Sequence, residues 1–362
     1  MTQYPGLEIN TKVIYKNACI LRKLCLSRGI EPTGVIKGFD AIPAIVDAVC
    51  EAGYSRLASS HLPHLRALKQ RDPGLKTLAL RLPMLSEVDD VVEWADMSLN
   101  SEEAVLRALD GAARRRGVTH GVTLMRDLGD LREGVMQKAD LLSLALLVEK
   151  NLPNLHLLGV GANLNCYGTV RPTVQNLSKL ASEAKEIEDI IGRKLEIVSG
   201  GSTSSLPLVA DGSMPDAIND LRIGEALVVP CDLIDYWQTN LPGLSNKGLI
   251  LRAEIIEIGE KPTMPIGEHS VDAFGVQMKY EDRGIRKRAL LALGVFDVGD
   301  EKRLIPLDSA VHVLGGSSDH LIMDIHDSQR DYKLGDTMDF ELHYKGMLFA
   351  SSSVSVKKII VD

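Results

Sequence analysis

The sequence predicts an α/β fold, a (β/α)8 TIM barrel followed by a mostly-β C-terminal domain. Two observations lead to this prediction. Eight short apolar runs alternate with helical patterns over roughly 220 residues, which is the length expected of a closed barrel of eight parallel strands. Beyond Val229 this alternation stops, and strand-like runs separated by Gly, Pro and Asp continue without long helices.

The predicted barrel begins with the apolar run at residues 33–37. Seven further strands are predicted at residues 55–59, 76–81, 97–100, 121–127, 157–165, 195–201 and 217–228. Between them, apolar residues recur three and four positions apart, which is typical of amphipathic helices. These helical patterns cover residues 41–52, 86–95, 101–116, 139–150 and 173–191. In a barrel of this kind the C-terminal ends of all strands face one common mouth.

We place the barrel at residues 13–235 and the β-rich domain at residues 236–362. Strands of the second domain are predicted at residues 249–258, 288–295, 310–314, 320–325, 337–344 and 353–361. The apolar run at residues 7–9 is too short to pack alone. Residues 1–12 are therefore expected to add a strand to the C-terminal domain.

Composition narrows the classes of partner. The formal net charge is -8 over 362 residues, which argues against a nucleic-acid surface. No apolar run approaches the ~20 residues needed to span a bilayer, and no signal peptide is evident, so no membrane partner is expected. The five cysteines are odd in number and form no C-x-x-C pair. This pattern favours a reducing, cytoplasmic location and no structural metal.

Lys37 is the residue whose surroundings most clearly favour a catalytic role. It closes the first barrel strand with apolar residues behind it and no carboxylate beside it. A lysine in such surroundings can lose its proton and attack a carbonyl carbon, as a Schiff-base lysine does. The alternative is a solvated lysine at a strand end.

The end of the seventh strand offers a place for a phosphate group. Gly200 and Gly201 precede four hydroxyl residues, Ser202, Thr203, Ser204 and Ser205, at the start of a predicted helix. Backbone N–H and side-chain O–H donors at a helix N-terminus can hold a phosphate without a lysine. A plain Gly/Ser turn with a helix cap is the alternative.

The eighth strand adds Arg222, Gly224 and Glu225 to the mouth. Gly224 permits a close approach of the backbone, and Glu225 carries the wrong charge for a phosphate, so only its N–H group is an expected donor. A Schiff-base lysine, a phosphate cradle and an arginine match the aldehyde, phosphate and ring nitrogen of pyridoxal 5'-phosphate. An arginine at the ring nitrogen keeps that nitrogen unprotonated, which favours return of a proton to Cα over transamination.

These residues also carry a family resemblance. The segments 81–84, 129–134, 165–168, 199–207, 222–225, 281–284 and 317–320 run nearly from end to end of the chain. As a set they resemble the alanine/ornithine racemase group of pyridoxal phosphate-dependent racemases, within the alanine racemase fold family. The resemblance implies an isomerase that works as a homodimer with shared active sites.

The resemblance also implies roles for individual residues. Lys37 would bind the cofactor and act as one of two catalytic bases, with Arg222 at the pyridine nitrogen and Arg132 at the phenolic oxygen. The phosphate would lie against residues 202–204 and the backbone of Gly224 and Glu225. Two departures matter. Asn163 stands where alanine racemases stack a histidine on the ring, and residues 265–274 contain no tyrosine where those enzymes place a catalytic one.

The second base is therefore open. It must lie on the face of the cofactor opposite Lys37 and change protonation near neutral pH. His320 beside Asp319 is the first choice, although a surface histidine is an equally good explanation of this pair. Asp272 is a further candidate, and the reserves are His269, Cys166 and Tyr280.

Racemisation of a free amino acid is the leading interpretation, with ornithine as the best single guess and lysine, alanine or serine behind it. Two alternatives stay open. One is decarboxylation of an amino acid on the same architecture, which an arginine at the ring nitrogen disfavours. The other is a non-catalytic carrier of pyridoxal phosphate, which has no need of a second domain over the mouth.

Overall fold

The computed structural model describes residues 4–277 and 279–361. The chain divides into two compact units, Ile14–Leu244 and Met1–Val13 with Ser245–Asp362. The first unit runs past the predicted boundary at residue 235 because the chain folds back there. The Thr239 N–H group donates to the Leu233 carbonyl at 2.8 Å.

The chain begins with strand β1 (Gly6–Asn10) and helix α1 (Thr11–Leu26), the latter a helix that the sequence analysis does not predict. The strands that follow are β2 (Glu31–Val35), β3 (Arg56–Ser59), β4 (Lys76–Ala79), β5 (Met97–Asn100), β6 (His120–Met125), β7 (Leu155–Gly161), β8 (Ile197–Ser202) and β9 (Asp220–Ile223). They are parallel and form a closed barrel, with β9 beside β2. The predicted fold class is confirmed.

Helices follow the strands, and the five predicted from apolar spacing at residues 41–52, 86–95, 101–116, 139–150 and 173–191 are all present. They are α2 (Pro43–Glu51), α3 (Leu62–Arg71), α4 (Val88–Trp94), α5 (Glu103–Arg116), α6 (Lys138–Asn151), α7 (Val174–Ile191), α8 (Leu206–Ala210), α9 (Glu225–Val228) and α10 (Cys231–Asp235). Thr173 caps α7 by accepting the Asn176 N–H group at 3.2 Å. Gly117 ends α5 with a φ of 66°, a conformation that glycine adopts without strain.

Two barrel strands are shorter than their apolar runs suggest. β7 stops at Gly161, so Asn163 and the residues after it belong to the loop above the barrel. The predicted eighth strand, residues 217–228, contains only the four residues of β9 before a helical turn begins at Glu225. A short, fully buried apolar run does not show by its periodicity whether it forms a strand or a helix.

The second unit is a mostly antiparallel sheet. β1 pairs antiparallel with β10 (Leu249–Pro262) and parallel with β16 (Lys357–Val361). The other strands are β11 (Ile285–Leu291), β12 (Leu304–Pro306), β13 (His312–Gly316), β14 (Leu321–Asp324) and β15 (Thr337–Leu342). Two helices, α11 (Val295–Val298) and α12 (Tyr344–Ser352), interrupt it. The strand predicted at residues 353–361 begins only at Lys357, and residues 353–356 form the connection from α12.

Apolar side chains fill the inside of the barrel. Val35, Ala58, Leu78, Met97, Leu99, Met125, Leu158 and Ile197 form one buried cluster. None of the helices in the described part of the chain combines the length and the apolar composition needed to span a bilayer.

Candidate active site

Lys37 lies two residues beyond the end of β2 and opens a short 3-10 turn, Lys37–Phe39. Ile36 and Phe39 on either side of it are fully buried. Burial lowers the pKa of the Lys37 amine, and the positive charges of Arg132 and Arg222 lower it further. Cys166 and Glu133 act in the opposite direction but do not cancel the effect. The amine is therefore neutral at a lower pH than that of an ordinary lysine.

A histidine holds the turn that follows Lys37. Asp40 has a φ of 51°, and its carboxylate is 3.1 Å from Nε2 of His64. The other ring nitrogen of His64, Nδ1, is 3.0 Å from the Ser59 hydroxyl, and the same hydroxyl accepts the His61 N–H group at 3.1 Å. Both nitrogens of His64 thus have protein partners, so the His61–His64 pair is part of the scaffold around Lys37.

The hydroxyl-rich turn lies at the end of β8, on the same rim of the barrel. Thr203–Ser205 form a 3-10 turn that leads into α8. The Ser202 and Ser204 hydroxyl oxygens are 3.2 Å apart, and the Ser204 hydroxyl donates to the Leu164 carbonyl at 3.3 Å. The three predicted phosphate residues therefore converge on one small region beside the loop that follows β7.

Gly224 and Glu225 follow β9. A Cβ atom on Gly224 would lie 3.0 Å from Cβ of Val35, so only glycine lets this segment approach β2 so closely. The Glu225 side chain turns inward, and burial together with Asp232 raises the pKa of its carboxyl group well above the usual range. A protonated Glu225 carries no charge that would repel a phosphate.

Arg222 is fixed deep in the mouth. Its Nη2 atom donates to the Ala162 carbonyl at 2.7 Å, and its Nη1 atom donates to the Ser199 hydroxyl. A guanidinium group has five N–H donors. Within residues 4–277 and 279–361, these two hydrogen bonds leave donors of Arg222 available to a ligand.

Asn163 and Arg132 belong to the two loops that follow β7 and β6. The Nδ2 atom of Asn163 is buried, and it has no hydrogen-bond partner among the described residues. A buried amide without a partner is costly, which indicates a place for a ligand group. Arg132 is exposed and forms a bidentate pair with Glu133, with Nη2 2.5 Å from Oε1.

A carboxylate joins these two loops. Asp130 is 1% exposed, and its oxygens accept the N–H groups of Asn165, Cys166, Tyr167 and Val170 at 3.0–3.2 Å. Burial opposes a charged carboxylate, but the four donors outweigh it and lower the pKa of Asp130. Gly168 contributes a close approach, because a Cβ atom there would be 2.5 Å from the Asp130 carbonyl oxygen.

Three candidate residues lie in the second unit. Asp272 accepts the N–H groups of Phe274 and Val276 at 2.9 and 2.8 Å, as an acid that caps its own turn does. Asp319 accepts the Ser318 hydroxyl at 2.6 Å. His320 is exposed in the turn between β13 and β14, and its N–H group donates to the Ser317 hydroxyl at 3.2 Å.

Within the barrel, the structure thus brings together Lys37, Arg132, Asn163, Arg222 and the phosphate turn. Two buried carboxylates near the site, Asp220 and Asp130, were not predicted as structural partners. Asp220 is two residues before Arg222 on the same strand, and alternation alone places the two side chains on one face. For Asp130, no signal in the sequence points to the loop whose N–H groups it accepts.

Arg132 lowers the pKa of Lys37 more than Arg222 does, so replacing it tests the cause of this pKa shift. In Arg132→Gln a positive charge is lost while Glu133 remains, so the protonated form of Lys37 is stabilised and its pKa rises. If Lys37 captures pyridoxal phosphate, as the sequence predicts, we expect the pH of the half-maximal capture rate, measured by borohydride trapping, to move upward. Arg107→Gln, which removes an exposed arginine paired with Glu103, is the control. An unchanged pH profile in Arg132→Gln would contradict this assignment.

Comparison with known proteins places the chain among racemases. The family model of the alanine racemase N-terminal domain matches residues 9–230. The chain is 40% identical over 355 residues to an ornithine racemase of Acetoanaerobium sticklandii, covering 98% of this chain and 99% of that protein. It is 36% identical over 356 residues to a lysine racemase of Thermotoga maritima, with 98% of each chain covered.

A solved structure shows the same fold. Alanine racemase from Streptomyces lavendulae superposes with a TM-score of 0.73, covering 100% of this chain and 98% of that chain at 17% identity. A similarity at such a low identity shows only that the fold is shared. Membership of the family is shown by the two racemases of similar sequence. The chain therefore belongs to the alanine racemase family of amino-acid racemases, which are isomerases.

Proposed function

We propose that this racemase interconverts L- and D-ornithine with pyridoxal phosphate bound to Lys37. The observation that carries the proposal is the half-buried Lys37 amine, whose pKa is lowered at the mouth of a barrel of this family. The choice of ornithine rests on the 40% identity to an ornithine racemase over nearly the whole chain. Lysine, alanine and serine are the next candidates.

The barrel residues fit this cofactor. The Asn163 amide is buried without a protein partner, and the Arg222 guanidinium has donors to spare. The hydroxyls of Ser202 and Ser204 lie side by side at the rim. When bound, pyridoxal phosphate supplies an electron sink that makes the Cα proton of an amino acid acidic.

Each residue would then have a defined task. Lys37 would hold the cofactor aldehyde and move the Cα proton on one face. Arg222 would orient the ring nitrogen without donating a full proton to it, which would limit electron withdrawal. The groups of Ser202, Thr203 and Ser204, together with the N–H groups of Gly224 and Glu225, would hold the phosphate. Arg132 would serve the phenolic oxygen, and Asn163 would serve the ring.

The carboxylates of the loop after β6 already have protein partners. Asp127 accepts the N–H groups of Gly129 and Leu131 at 2.8 and 3.2 Å, and Asp130 is fully engaged with the next loop. Glu133 pairs with Arg132. A cationic side chain would have to compete with these partners, so the preference for ornithine rests on sequence similarity.

We propose His320 as the base on the opposite face, with Asp319 as its neighbour and Asp272 as the less favoured alternative, because Asp272 caps its own turn. We expect His320→Ala to slow racemisation by about 10²- to 10⁴-fold, the usual contribution of one acid/base group. Binding of pyridoxal phosphate is expected to persist. His312→Ala, another exposed histidine of the same unit, is the control. Full racemisation in both directions by His320→Ala would remove this assignment.

We further propose a homodimer in which the second unit of one chain completes the mouth of its partner. Every residue from 265 to 277 is exposed, and this segment includes Ile266 at 91% and Phe274 at 51% exposure. A stretch of exposed large apolar side chains is typical of a surface that another chain covers.

A double substitution tests the dimer. We expect Ile266→Asp with Phe274→Asp to shift the mass measured by sedimentation from twice that of one chain to that of a single chain. Racemisation should fall with it by at least about 10²-fold, because half of each site would be lost. Leu334→Asp, an exposed residue outside the segment, should leave the mass unchanged. A fully active monomer would refute the shared site.

We also propose a cytoplasmic location. None of the five cysteines, all of which lie in the described part of the chain, forms a disulfide bond, and Cys25 and Cys231 are buried. A chain whose cysteines stay reduced suits a reducing compartment.

Chiral chromatography tests the proposed activity. The protein with pyridoxal phosphate is incubated separately with the L- and D-forms of ornithine, lysine, alanine and serine. We expect both forms of ornithine to converge on an equal mixture, faster than those of the other three. Loss of the carboxyl group would instead indicate a decarboxylase, and bound cofactor without any product would indicate a carrier.

A further inference from the structure

Behind Arg222 lies a buried carboxylate. Asp220 and Arg222 are two positions apart on β9, so their side chains point to the same face of the strand. The two residues are 3% and 5% exposed. A charge at such depth needs a partner of opposite sign or several hydrogen bonds, because desolvation would otherwise expel it.

The hydroxyl of Ser199 connects the two side chains. It accepts a hydrogen bond from Nη1 of Arg222 and donates one to Oδ2 of Asp220. Ser199 is 1% exposed and lies on β8, the strand next to β9. The hydrogen bonds therefore run in one direction, from the guanidinium through the hydroxyl to the carboxylate.

The other oxygen of Asp220 is held equally firmly. Oδ1 accepts a hydrogen bond from the Thr33 hydroxyl at 2.9 Å and from Nη2 of Arg56. Nε of Arg56 in turn donates to the Thr33 hydroxyl at 2.6 Å. Asp220 is thus fixed by three strands of the barrel and cannot turn away from Ser199.

Positive charges outnumber negative charges in this buried cluster. Asp220 is one carboxylate between two guanidinium groups, those of Arg56 and Arg222, and all three line one internal cavity together with Ser199. Burial lowers the pKa of Arg222, and Asp220 is the largest opposing influence. The carboxylate therefore offsets part of the cost of keeping Arg222 charged in the barrel.

Close packing against Gly161 also restricts the position of the Arg222 side chain. A Cβ atom on Gly161 would lie 3.4 Å from Nη1 of Arg222 and 3.2 Å from Cβ of Ser199. The guanidinium plane is thus confined between Gly161, the Ala162 carbonyl and the Ser199 hydroxyl. Hydrogen bonds to Ser199 and Ala162 occupy only two of its five N–H donors.

We infer that Asp220, acting through Ser199, is a positioning residue that sets the orientation and the effective charge of Arg222 and so governs the electronic state of the bound cofactor ring. The inference rests on the proposed function. Without Asp220 or the Ser199 hydroxyl, the guanidinium loses one of the contacts that orient it, although the Ala162 carbonyl still accepts from Nη2, and its charge is no longer balanced from behind. The ring nitrogen then meets a different field, and the rate of proton removal from Cα changes with it.

Three substitutions test the inference. Ser199→Ala removes the hydroxyl link, and Asp220→Asn removes the charge while keeping the side chain's shape. Ser98→Ala is the matched control, because Ser98 is also a buried serine on a barrel strand but bonds to His120, at 2.8 Å, and not to the cofactor arginine. Thermal unfolding identifies any variant that fails to fold.

The readouts are the absorption spectrum of bound pyridoxal phosphate across pH, its dissociation constant, and kcat and KM for racemisation. We expect Ser199→Ala and Asp220→Asn to shift the absorption maximum or its pH dependence. We also expect them to lower kcat about 10- to 100-fold with KM changed less than about 3-fold, as a change confined to the transition state does. Ser98→Ala should keep the wild-type spectrum.

Wild-type protein measured in parallel separates the two claims. If it binds the cofactor and racemises while both variants keep its spectrum and its kcat, the role of Asp220 is refuted and the proposed function stands. If either variant unfolds, the other decides. If wild-type protein neither binds pyridoxal phosphate nor racemises any amino acid, both claims fail.

Discussion

Replacement of Lys37 by alanine is expected to abolish racemisation, with a loss of at least about 10³-fold in kcat/KM. In the proposed function Lys37 both binds the cofactor and transfers one of the two protons, so one substitution would remove both. Burial and the nearby arginines lower the pKa of its amine, and an alanine has no group that could replace that amine. The measurement is chiral chromatography of both enantiomers, together with the absorption spectrum after addition of pyridoxal phosphate.

The matched control for Lys37→Ala is Lys69→Ala. Lys69 is also a partly buried lysine of the barrel unit, but its Nζ atom lies 2.6 Å from Oδ2 of Asp96, so it acts as a structural cation. The control should lose stability and keep its activity. Wild-type rates in Lys37→Ala would show that the site lies elsewhere.

Replacement of Asp130 by alanine is expected to lower kcat/KM about 10- to 100-fold, since small displacements of positioned groups cost this much. Asp130 accepts four N–H groups from residues 165–170, and its own loop carries Arg132. Hydrogen bonds to a charged group contribute about 1.5–3 kcal/mol each, so without them the loop after β7 loses its principal tie. Asn163, at the base of that loop, is expected to become mobile with it.

Asp130→Asn distinguishes the charge from the shape. An asparagine keeps one acceptor oxygen but turns an NH2 group toward two N–H donors, so we expect it to be nearly as harmful as alanine. Hydrogen exchange at residues 165–170 should speed up in both variants. Asp211→Asn, in an exposed turn closed by Ser213, is the control. Unchanged hydrogen exchange and activity in Asp130→Ala would show that the loop after β7 keeps its conformation without Asp130.

The sequence supports prediction of the barrel because periodicity is a local property. Strand runs separated by helical spacing predicted eight parallel strands, and the structure has them. The residues at which individual strands end were less predictable. β7 stops at Gly161 and β9 at Ile223, because the apolar residues beyond them pack as loop or helix instead of pairing.

The residues around the site depend on distant contacts, which explains what the sequence could not show. Lys37, Arg222 and the hydroxyl turn lie at strand ends, and barrel topology alone brings them to one rim. Asp220 accepts hydrogen bonds from Thr33, Arg56 and Ser199, which lie on three other strands. Only the folded structure reveals such a cluster.

Lys37 is the residue that we propose to carry the cofactor of this amino-acid racemase. The most direct test is borohydride reduction of the protein with pyridoxal phosphate, followed by protease digestion and mass spectrometry. We predict a pyridoxyl phosphate group on the peptide that contains Lys37 and on no other lysine at comparable yield. Label on a different lysine, or no label on a protein that racemises ornithine, would contradict the account.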